Sequence, residues 1–316
     1  MTEAYSEHLA ALHGGFEAPA ELIAAAAREV TASPIVARER IVHGEANEVY
    51  RLGFASGLGA ILRIARRDQG LFEKEAWAIG RCRALGMAAP EVLSVQRLDN
   101  AGEALEFCFL ELLPGQRLSD SLSLPRETLR GVVRELGEQL SRMHAIGWED
   151  LGAAVRYFEN DTDDFLAIEG EFTDMAAAAG LDRAAVGRAF RWHEAVMARH
   201  APLPRRLTHN DTRACHVLVH EGRLSGIIDF GQVSMDSAIN EFGKWDCWEA
   251  PALPAAWLQE GYGDQSLFGD GYDELFRAFR LANGLWVLRW YAITGFEAGV
   301  ERAAGKVQSY LAELGR

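Results

Sequence analysis

The chain has 316 residues, with 32 basic and 46 acidic side chains and a formal net charge of −14 at pH 7. That balance argues against nucleic acid and against an anionic membrane surface, whose protein partners present basic patches. It permits a cationic small-molecule partner. With 49% hydrophobic and 25% charged residues, the composition is that of a globular protein, and a prior of about 150 residues per domain suggests two lobes.

The cysteines and the apolar segments predict a cytoplasmic protein. The cysteines lie far apart, without the spacing of a disulfide framework or a zinc site, and they are Cys82, Cys108, Cys215 and Cys247. The first residues, MTEAYSEHLAALHGG, carry acids where a signal peptide has Lys or Arg. The most apolar stretch, residues 281–296, contains Asn283 and Arg289 and is too short to span a bilayer, so we predict a buried helix there.

The pattern of predicted elements changes along the chain and suggests domain boundaries. Residues 1–35 are Ala-rich with a helical pattern that ends before Pro34, which predicts a helical extension. Residues 36–113 contain mainly strand patterns, interrupted by one helix at about 70–85; the strands are VARERIV, EVYRLGF, GAILRIAR, EVLSVQRL and ALEFCFLELL. We expect these residues to form a small antiparallel-sheet lobe.

Residues 114–316 are mainly helical in pattern, and TLRGVVRELGEQLSRMHAIG is the longest amphipathic candidate. Three short apolar runs, RRLTH, HVLVH and LSGIIDF, interrupt the helices and surround a tight turn at Glu221-Gly222. A small sheet lobe followed by a helical lobe that contains a β-hairpin is a bilobal α+β arrangement. Ligands of such folds usually bind between the lobes.

The strongest motif lies on this hairpin. His209-Asn210-Asp211 precedes one strand, and Ile227-Ile228-Asp229-Phe230-Gly231 follows the next. The two segments resemble the catalytic loop and the metal-binding loop of protein-kinase-like phosphotransferases. Together with FLELLPG at the junction of the predicted lobes, they resemble the aminoglycoside phosphotransferase family, which includes macrolide and choline kinases.

The resemblance covers about residues 36–300 and implies a bilobal protein-kinase-like fold. It implies an enzyme that transfers the γ-phosphate of ATP or GTP, with Mg²⁺, to a hydroxyl group of a small molecule. Asp211 would orient that hydroxyl and accept its proton, and Asp229 would ligate the metal through a hard carboxylate oxygen. His209 is expected to brace the loop rather than to react.

Two positions depart from the family pattern. His216 stands where the family most often has Asn as the second metal ligand, and an imidazole is a poorer magnesium ligand than an amide oxygen. His216 is therefore either a metal ligand or a brace for the loop. Asn240 stands where the family has a second Asp after the metal loop, and we expect it to hydrogen-bond the catalytic loop without a charge.

Arg213, two residues after Asp211, lies where related kinases often have a cation near the transferred phosphate. A guanidinium group there could bind phosphate oxygens in bidentate fashion. A surface arginine that pairs with a local acid is an equal alternative.

The first lobe contains the candidate nucleotide-binding residues. The segment from His43 to Arg51 resembles the family's nucleotide-positioning loop, in which we assign Gly44 and Asn47. Arg63 falls at the position of the kinase strand lysine and would bind the α- and β-phosphates. Glu75 on the following helix is its expected partner, with Glu73 as the rival. In the segment that joins the lobes, the backbone around Glu111 to Leu113 would hydrogen-bond the purine edge.

Two groups of acids bear on the acceptor. One precedes the catalytic loop and the other follows the metal loop; they are Glu159, Asp161, Asp163, Asp164, Glu169, Glu171 and Asp174, and then Glu241, Asp246, Glu249, Glu260 and Asp264. They would either attract a polyamine sugar or simply form a solvated face. The aromatic residues beside them could line a pocket for a macrolide or belong to the core; they are Trp245, Trp248, Trp257 and Tyr262.

The sequence therefore predicts a small-molecule kinase whose acceptor is an antibiotic of the aminoglycoside or macrolide type. The alternatives are a kinase of an ordinary metabolite and a nucleotide-binding pseudokinase, which His216 and Asn240 favour. A metal-dependent hydrolase is the least favoured, because it would leave Arg63 and Glu75 without a purpose.

Overall fold

A computed structural model of the protein describes residues 7, 9–11, 13, 14, 17–42, 47–65, 71–100, 102–159 and 165–314. The chain divides into two compact units. The first comprises Met1–Gly115 and Ser225–Gly231, and the second comprises Gln116–Leu224 and Gln232–Arg316. The sequence did not predict that the metal-loop segment would group with the first unit. The division into an extension, a sheet lobe and a helical lobe stays a prediction.

The first unit is built on an antiparallel sheet with the strand order β1-β2-β3-β5-β4. Its strands are β1 (Ile35–Ile41), β2 (Glu48–Phe54), β3 (Gly59–Ala65), β4 (Val92–Asn100) and β5 (Glu103–Glu111). Alternate residues of β2 are buried, as expected of a strand with one face on the core. The core includes Leu52, Leu62 and Phe107. The five predicted strands are confirmed.

Helices α1 (Ala20–Ala27) and α2 (Leu71–Ala84) accompany this sheet. The amide of Gln96 on β4 donates to the carbonyl of Ala26, at 2.8 Å, and so attaches α1 to the sheet edge. Helix α2 begins and ends close to the predicted bounds of 70 and 85. It carries Glu75 at a buried position.

The second unit is mainly helical. Its helices are α3 (Arg126–Met143), α4 (Glu169–Ala178), α5 (Arg183–His200), α6 (Ala238–Glu249), α7 (Ala255–Gly261), α8 (Tyr272–Thr294) and α9 (Glu297–Leu314). Helix α8 packs against both α6 and α9. It contains most of the apolar stretch for which a buried helix was predicted, and Leu281, Leu285 and Leu288 are buried. None of the described helices is long and apolar enough to cross a membrane.

The strands of the helical part position the two motifs. Strand β7 (Arg206–Thr208) leads into the catalytic-loop motif and pairs with β10 (Ser234–Asp236). The predicted hairpin is formed by β8 (Val217–His220) and β9 (Arg223–Ile227), and β6 (Gln116–Arg117) pairs with β8. Glu221 at the turn has a φ of 51° and Gly222 a φ of 76°, as a tight two-residue hairpin turn requires.

Candidate active site

The catalytic-loop motif is held by a buried carboxylate that the sequence did not single out for this role. Glu241 on α6 is 2% exposed. Its Oε2 accepts the backbone N–H of His209 at 2.7 Å and that of Asn210 at 3.2 Å, and its Oε1 accepts the hydroxyl of Thr212 at 2.5 Å. One side chain thus holds the loop on both sides of Asp211.

A second layer of side chains supports Glu241. Nε2 of His144, at the end of α3, lies 3.8 Å from a Glu241 oxygen, and Nδ1 of His144 bonds the hydroxyl of Tyr262 at 3.0 Å. Burial by itself raises the pKa of Glu241, but the interactions with His144, His209 and Thr212 outweigh it and lower this pKa to about 2. Glu241 is therefore an anion at neutral pH.

Lys244, one turn after Glu241 on α6, contacts the same loop. Its Nζ donates to the backbone carbonyl of Asn210 at 2.5 Å and to Asn210 Oδ1 at 2.7 Å. Asn210 has a φ of 58°, in the left-handed region that few non-glycine residues adopt. Burial lowers the pKa of Lys244, and the carboxylates of Asp211 and Glu241 oppose that shift.

His209 braces the loop, as the sequence predicts. It is fully buried, and its Nδ1 accepts the backbone N–H of Asp211 at 3.3 Å. His216 contacts Asp211 from the other direction: its Nδ1 lies 2.8 Å from the backbone carbonyl of Asp211 and 3.4 Å from Oδ2. Because a carbonyl only accepts, Nδ1 of His216 is the donor in this bond.

Arg213 lies beside the predicted catalytic aspartate. Its Nε is 3.3 Å from Asp211 Oδ1, and its guanidinium carbon lies 4.6 Å from the ring centroid of Trp248. The alternative of a local acid as partner is thus present in the structure. The phosphate contact that the resemblance implies for Arg213 stays a prediction.

The first unit contains a cluster of three charged side chains. Arg63 on β3 is 8% exposed and Glu75 on α2 is 2% exposed, and Arg63 Nη1 donates to Glu75 Oε1. Arg63 Nη2 donates to Asp229 Oδ1 at 2.9 Å. The predicted choice of Glu75 as the partner of Arg63 is confirmed by this ion pair.

The same cluster constrains Asp229. Burial lowers the pKa of Arg63, but Glu75 and Asp229 outweigh it, so the guanidinium pKa is raised and the group stays charged. Asp229 has a φ of 66°, a conformation that costs free energy for a non-glycine residue and is typical of functional sites. A β-carbon at Gly231 would lie 3.4 Å from Arg63 Nη2, so glycine leaves room for the cluster.

In the predicted purine-binding segment, Glu111 already forms hydrogen bonds within the protein. The N–H of Glu111 donates to the carbonyl of Glu91 at 2.8 Å, and the carboxylate of Glu111 accepts the N–H of Glu91 at 3.0 Å. Leu113 lies against Gly226, where a β-carbon would collide with it. Asn47 immediately precedes β2, whereas Gly44 lies outside the described residues.

Most described acids of the two predicted acceptor groups already have partners in the second unit. Glu171 pairs with Arg289 at 2.8 Å, Asp246 with Arg280 at 3.3 Å, and Glu260 with Arg130 at 2.9 Å. Asp174 pairs with Arg183, Glu249 accepts the N–H of Ala214, and Asp264 accepts the N–H of Ser266. Asp161, Asp163 and Asp164 lie outside the described residues. These contacts favour structural roles over recognition of a cationic substrate.

The aromatic residues divide between core and loop support. Trp245, Trp257 and Tyr262 are buried, with exposed fractions of 7% or less, which favours the core alternative for them. Trp248 instead supports Arg213. Asn240 bonds Asp236 and Asn283. The expectation that Asn240 contacts the catalytic loop is wrong among the described residues, because Glu241, the next residue, takes that place.

Sequence reasoning missed the roles of Glu241 and Lys244. Both residues lie on α6 and bond backbone atoms of the loop. One signal was available: Glu241 and Lys244 lie one turn apart on this helix, next to the large apolar residues Phe242 and Trp245, which are typical of a face packed on the core. Buried charges of this kind require partners.

Comparisons with known proteins identify a family and a fold. A model of the phosphotransferase enzyme family matches residues 38–275. None of the curated proteins compared matches the chain. Among solved structures, a thermostable mutant of aminoglycoside phosphotransferase APH(4)-Ia, in ternary complex with ADP and hygromycin B, superposes with a TM-score of 0.65 at 17% identity, covering 88% of this chain and 94% of that chain.

Two further structures are similarly related. The GDP complex of aminoglycoside 2′-phosphotransferase-IIIa has a TM-score of 0.65 at 15% identity, with 98% of each chain covered. The gentamicin complex of APH(2″)-IIa has a TM-score of 0.62 at 12% identity, covering 93% of this chain and 97% of that chain. At these identities the likeness shows the fold, and it confirms the predicted α+β, protein-kinase-like fold class.

Proposed function

The chain belongs to the phosphotransferase enzyme family, and from that premise we propose that it transfers the γ-phosphate of ATP or GTP to a hydroxyl group of a small molecule. Phosphoryl transfer requires an acceptor held in line with the phosphate and positive charge around the phosphate oxygens. The protein contributes little covalent chemistry of its own. The proposal therefore depends on charged side chains in fixed positions.

The observation that carries the proposal is the cluster of Arg63, Glu75 and Asp229. A buried arginine that is fixed by one carboxylate and bonded to a second matches what a phosphate-binding cation beside a metal ligand requires. In our proposal Arg63 binds the α- and β-phosphates, and Glu75 holds it in place. Asn47 and Gly44 belong to the proposed loop over the phosphates, and Leu113 and the backbone near Glu111 to the purine site.

Asp211 is the proposed catalytic base. Its carboxylate accepts the proton of the acceptor hydroxyl while the hydroxyl oxygen forms a bond to the γ-phosphorus and the bond to the bridging oxygen of the β-phosphate breaks. The products are the phosphorylated acceptor and the nucleoside diphosphate. Arg213, at 3.3 Å from Asp211, is proposed to orient this carboxylate or to contact the transferred phosphate.

The donor chemistry suits a magnesium ion. Asp229 offers carboxylate oxygen, the hard ligand that Mg²⁺ prefers, and we propose it as the principal ligand. His216 is the second candidate, because its Nδ1–H donates to a backbone carbonyl, as metal-binding histidines usually do with their other nitrogen. When bound, the ion would neutralise charge on the phosphate oxygens.

For the acceptor we propose an aminoglycoside- or macrolide-like antibiotic. Support comes from the ligands in two of the similar structures, which are hygromycin B and gentamicin. The net charge of −14 also favours a cationic substrate. Glu171, Asp246 and Glu260 do not add to this support, because each is already paired with an arginine.

The test is a nucleotide-consumption screen with ATP and GTP, in Mg²⁺ and in Mn²⁺. The acceptors are aminoglycosides, macrolides, amino alcohols and sugars. We expect consumption that depends on one antibiotic, with a product heavier by one phosphate in mass spectrometry. Turnover only on an amino alcohol or a sugar would identify a metabolite kinase. Nucleotide binding in a thermal-shift assay without consumption on any acceptor would identify a pseudokinase.

The matched variants are Asp211→Asn and Asp270→Asn. The first removes the proposed base with almost no change of volume and should lower kcat by about 10²–10⁴-fold while nucleotide binding persists. The second makes the same change at an exposed position of the same unit and should leave kcat within error. Full activity of Asp211→Asn would remove Asp211 from the role of base.

A further inference from the structure

Helix α6 directs two opposite charges at one loop. Glu241 accepts two backbone N–H groups of the catalytic-loop motif, and Lys244, one turn later, donates to the carbonyl and the side-chain oxygen of Asn210. Hydrogen bonds to Glu241 fix where the loop runs. They do not involve the peptide group that links Asn210 to Asp211, because the two N–H groups belong to the preceding peptide groups.

We propose that Lys244 is a positioning residue for the phosphoryl-transfer reaction, acting through Asn210 on the direction of the Asp211 carboxylate. The inference rests on the proposed function of Asp211. A single ammonium group that bonds both oxygens of Asn210 fixes its side chain and its peptide plane at once. The peptide plane of Asn210 determines where the chain continues, and hence where Asp211 points.

The backbone conformation of Asn210 explains why such a clamp is needed. At a φ of 58° the residue is in the left-handed region, where a β-carbon is crowded and which asparagine tolerates better than most residues. A loop residue in that conformation returns easily to a right-handed or extended one unless its surroundings hold it. Lys244 supplies that restraint from a helix whose apolar neighbours, Phe242 and Trp245, are fully buried.

The rest of the loop does not provide the same restraint. His209 Nδ1 and His216 Nδ1 bond the N–H and the carbonyl of Asp211 itself, and Thr212 bonds Glu241. The bond from the Asp211 N–H to His209 Nδ1 holds the other end of the same peptide group, but at 3.3 Å it is longer than the bonds of 2.5 and 2.7 Å that the Lys244 ammonium donates. Loss of the Lys244 contacts would leave the path of the loop intact and would change the aim of one carboxylate.

The test compares Lys244→Met with Lys306→Met in the full chain. Lys306 is a matched control: it is also partly buried, and its Nζ donates to the carbonyls of Cys247 and Trp248 at the end of the same helix. Both variants remove one ammonium group and its bonds to backbone carbonyls. The measurements are kcat and nucleotide KM, thermal unfolding, and hydrogen–deuterium exchange of the peptide that contains residues 206–216.

We expect Lys244→Met to lower kcat by about 10²-fold, the effect of misplacing a catalytic group by about 1 Å, while nucleotide KM changes less than about twofold. Exchange in residues 206–216 should accelerate. Lys306→Met should lower the unfolding temperature by a similar amount and leave kcat and loop exchange unchanged. Equal kcat losses in the two variants, or an unchanged loop in Lys244→Met, would overturn the proposal.

A second pair of variants covers the case in which Lys244→Met does not fold. Both variants remove the Oδ1 acceptor, but Asn210→Gly retains the left-handed conformation at little cost, whereas Asn210→Ala disfavours it. The expected order of kcat is wild type, then Asn210→Gly, then Asn210→Ala, and the reverse order for the two variants contradicts the proposal. Absence of turnover in the wild-type chain would reject the proposed function, whereas the exchange of the loop would still report on the clamp.

Discussion

The two units hold their proposed functional side chains by different means. In the first, Arg63 bonds the oppositely charged side chains of Glu75 and Asp229. In the second, Glu241 and Lys244 bond the backbone of the loop that carries Asp211. The first arrangement depends on which side chains are charged, and the second depends on where a helix lies relative to a loop.

This difference determines whether a substitution mainly affects folding stability or mainly affects catalysis. Removing one member of a buried ion pair leaves an uncompensated charge, at a cost of about 3–5 kcal/mol. Removing a side chain that holds a loop leaves backbone N–H groups without their acceptor, at a smaller cost of about 1–3 kcal/mol for each buried group. The same substitution should lower kcat strongly, since the loop carries the proposed base.

The largest effect on stability is expected at the cluster of Arg63, Glu75 and Asp229. Arg63→Ala leaves Glu75 buried without its cation and should lower the unfolding free energy by about 3–5 kcal/mol. It should also raise the nucleotide KM. Chemical denaturation of this variant is compared with that of Arg81→Ala, which removes an exposed arginine from the helix of Glu75 and should change stability by less than about 0.5 kcal/mol. Similar losses in the two variants would show that burial of the pair is unimportant.

The second expected effect depends on pH. Because the pKa of Glu241 is lowered to about 2, its stabilisation is complete above the unfolded value near 4.3 and disappears as the pH falls toward 2. Glu241→Gln should therefore cost about 3 kcal/mol at pH 7, and less in the range from pH 4 to pH 2. Urea denaturation of both proteins from pH 7 to pH 3 measures this difference. A difference that stays constant with pH would mean that Glu241 titrates normally.

The third prediction tests the packing of α3 against α7, the helices that end next to His144 and Tyr262. A β-carbon at Gly137 of α3 would collide with the backbone of Leu258 in α7, so Gly137→Ala should cost about 1–3 kcal/mol by overpacking. Since His144 and Tyr262 link these helices to Glu241, kcat should fall as well. In contrast, Gly131 of the same helix faces open space, and Gly131→Ala should stabilise the fold by about 0.5–1 kcal/mol. Measurements of thermal denaturation and of kcat for Gly137→Ala and Gly131→Ala test this prediction.

The smallest effect is expected at an exposed ion pair. Glu171 and Arg289 bond at 2.8 Å, and their side chains are 41% and 28% exposed, whereas those of Glu75 and Arg63 are 2% and 9% exposed. Glu171→Gln should therefore change the unfolding free energy by only about 0–1 kcal/mol. It should leave the acceptor KM unchanged if Glu171 has a structural role. A raised acceptor KM with normal stability would return this acid to the substrate site.

The strands, the hairpin and the Arg63–Glu75 pair could be predicted because their signals are local or belong to a motif. The strand pattern EVYRLGF predicted β2, the Glu-Gly turn predicted the hairpin, and the resemblance to the kinase strand lysine indicated Arg63 with Glu75 as its partner and Glu73 as the rival. In each case the residue type itself carries the information.

Glu241, Lys244 and the paired acids could not be predicted in the same way. Glu241 looked like one acid among several after the metal loop, and Asn240 looked like the residue that would reach the catalytic loop. Their partners are backbone groups, which every residue has, or arginines distant in the chain such as Arg280 and Arg289. Sequence spacing contains no information about such partners.

The sequence by itself determined which chemical groups are present: the carboxylates, the arginine on the third strand, and the order of the two motifs that contain Asp211 and Asp229. Residue types and short-range periodicity are sufficient for that, because they are properties of the chain. Only the tertiary structure decided which charged side chains bind one another and which ones hold the loop that contains Asn210, a residue with a left-handed backbone conformation. Those outcomes depend on distances between residues far apart in the chain, and on burial, which sets the cost of leaving a charge unpaired.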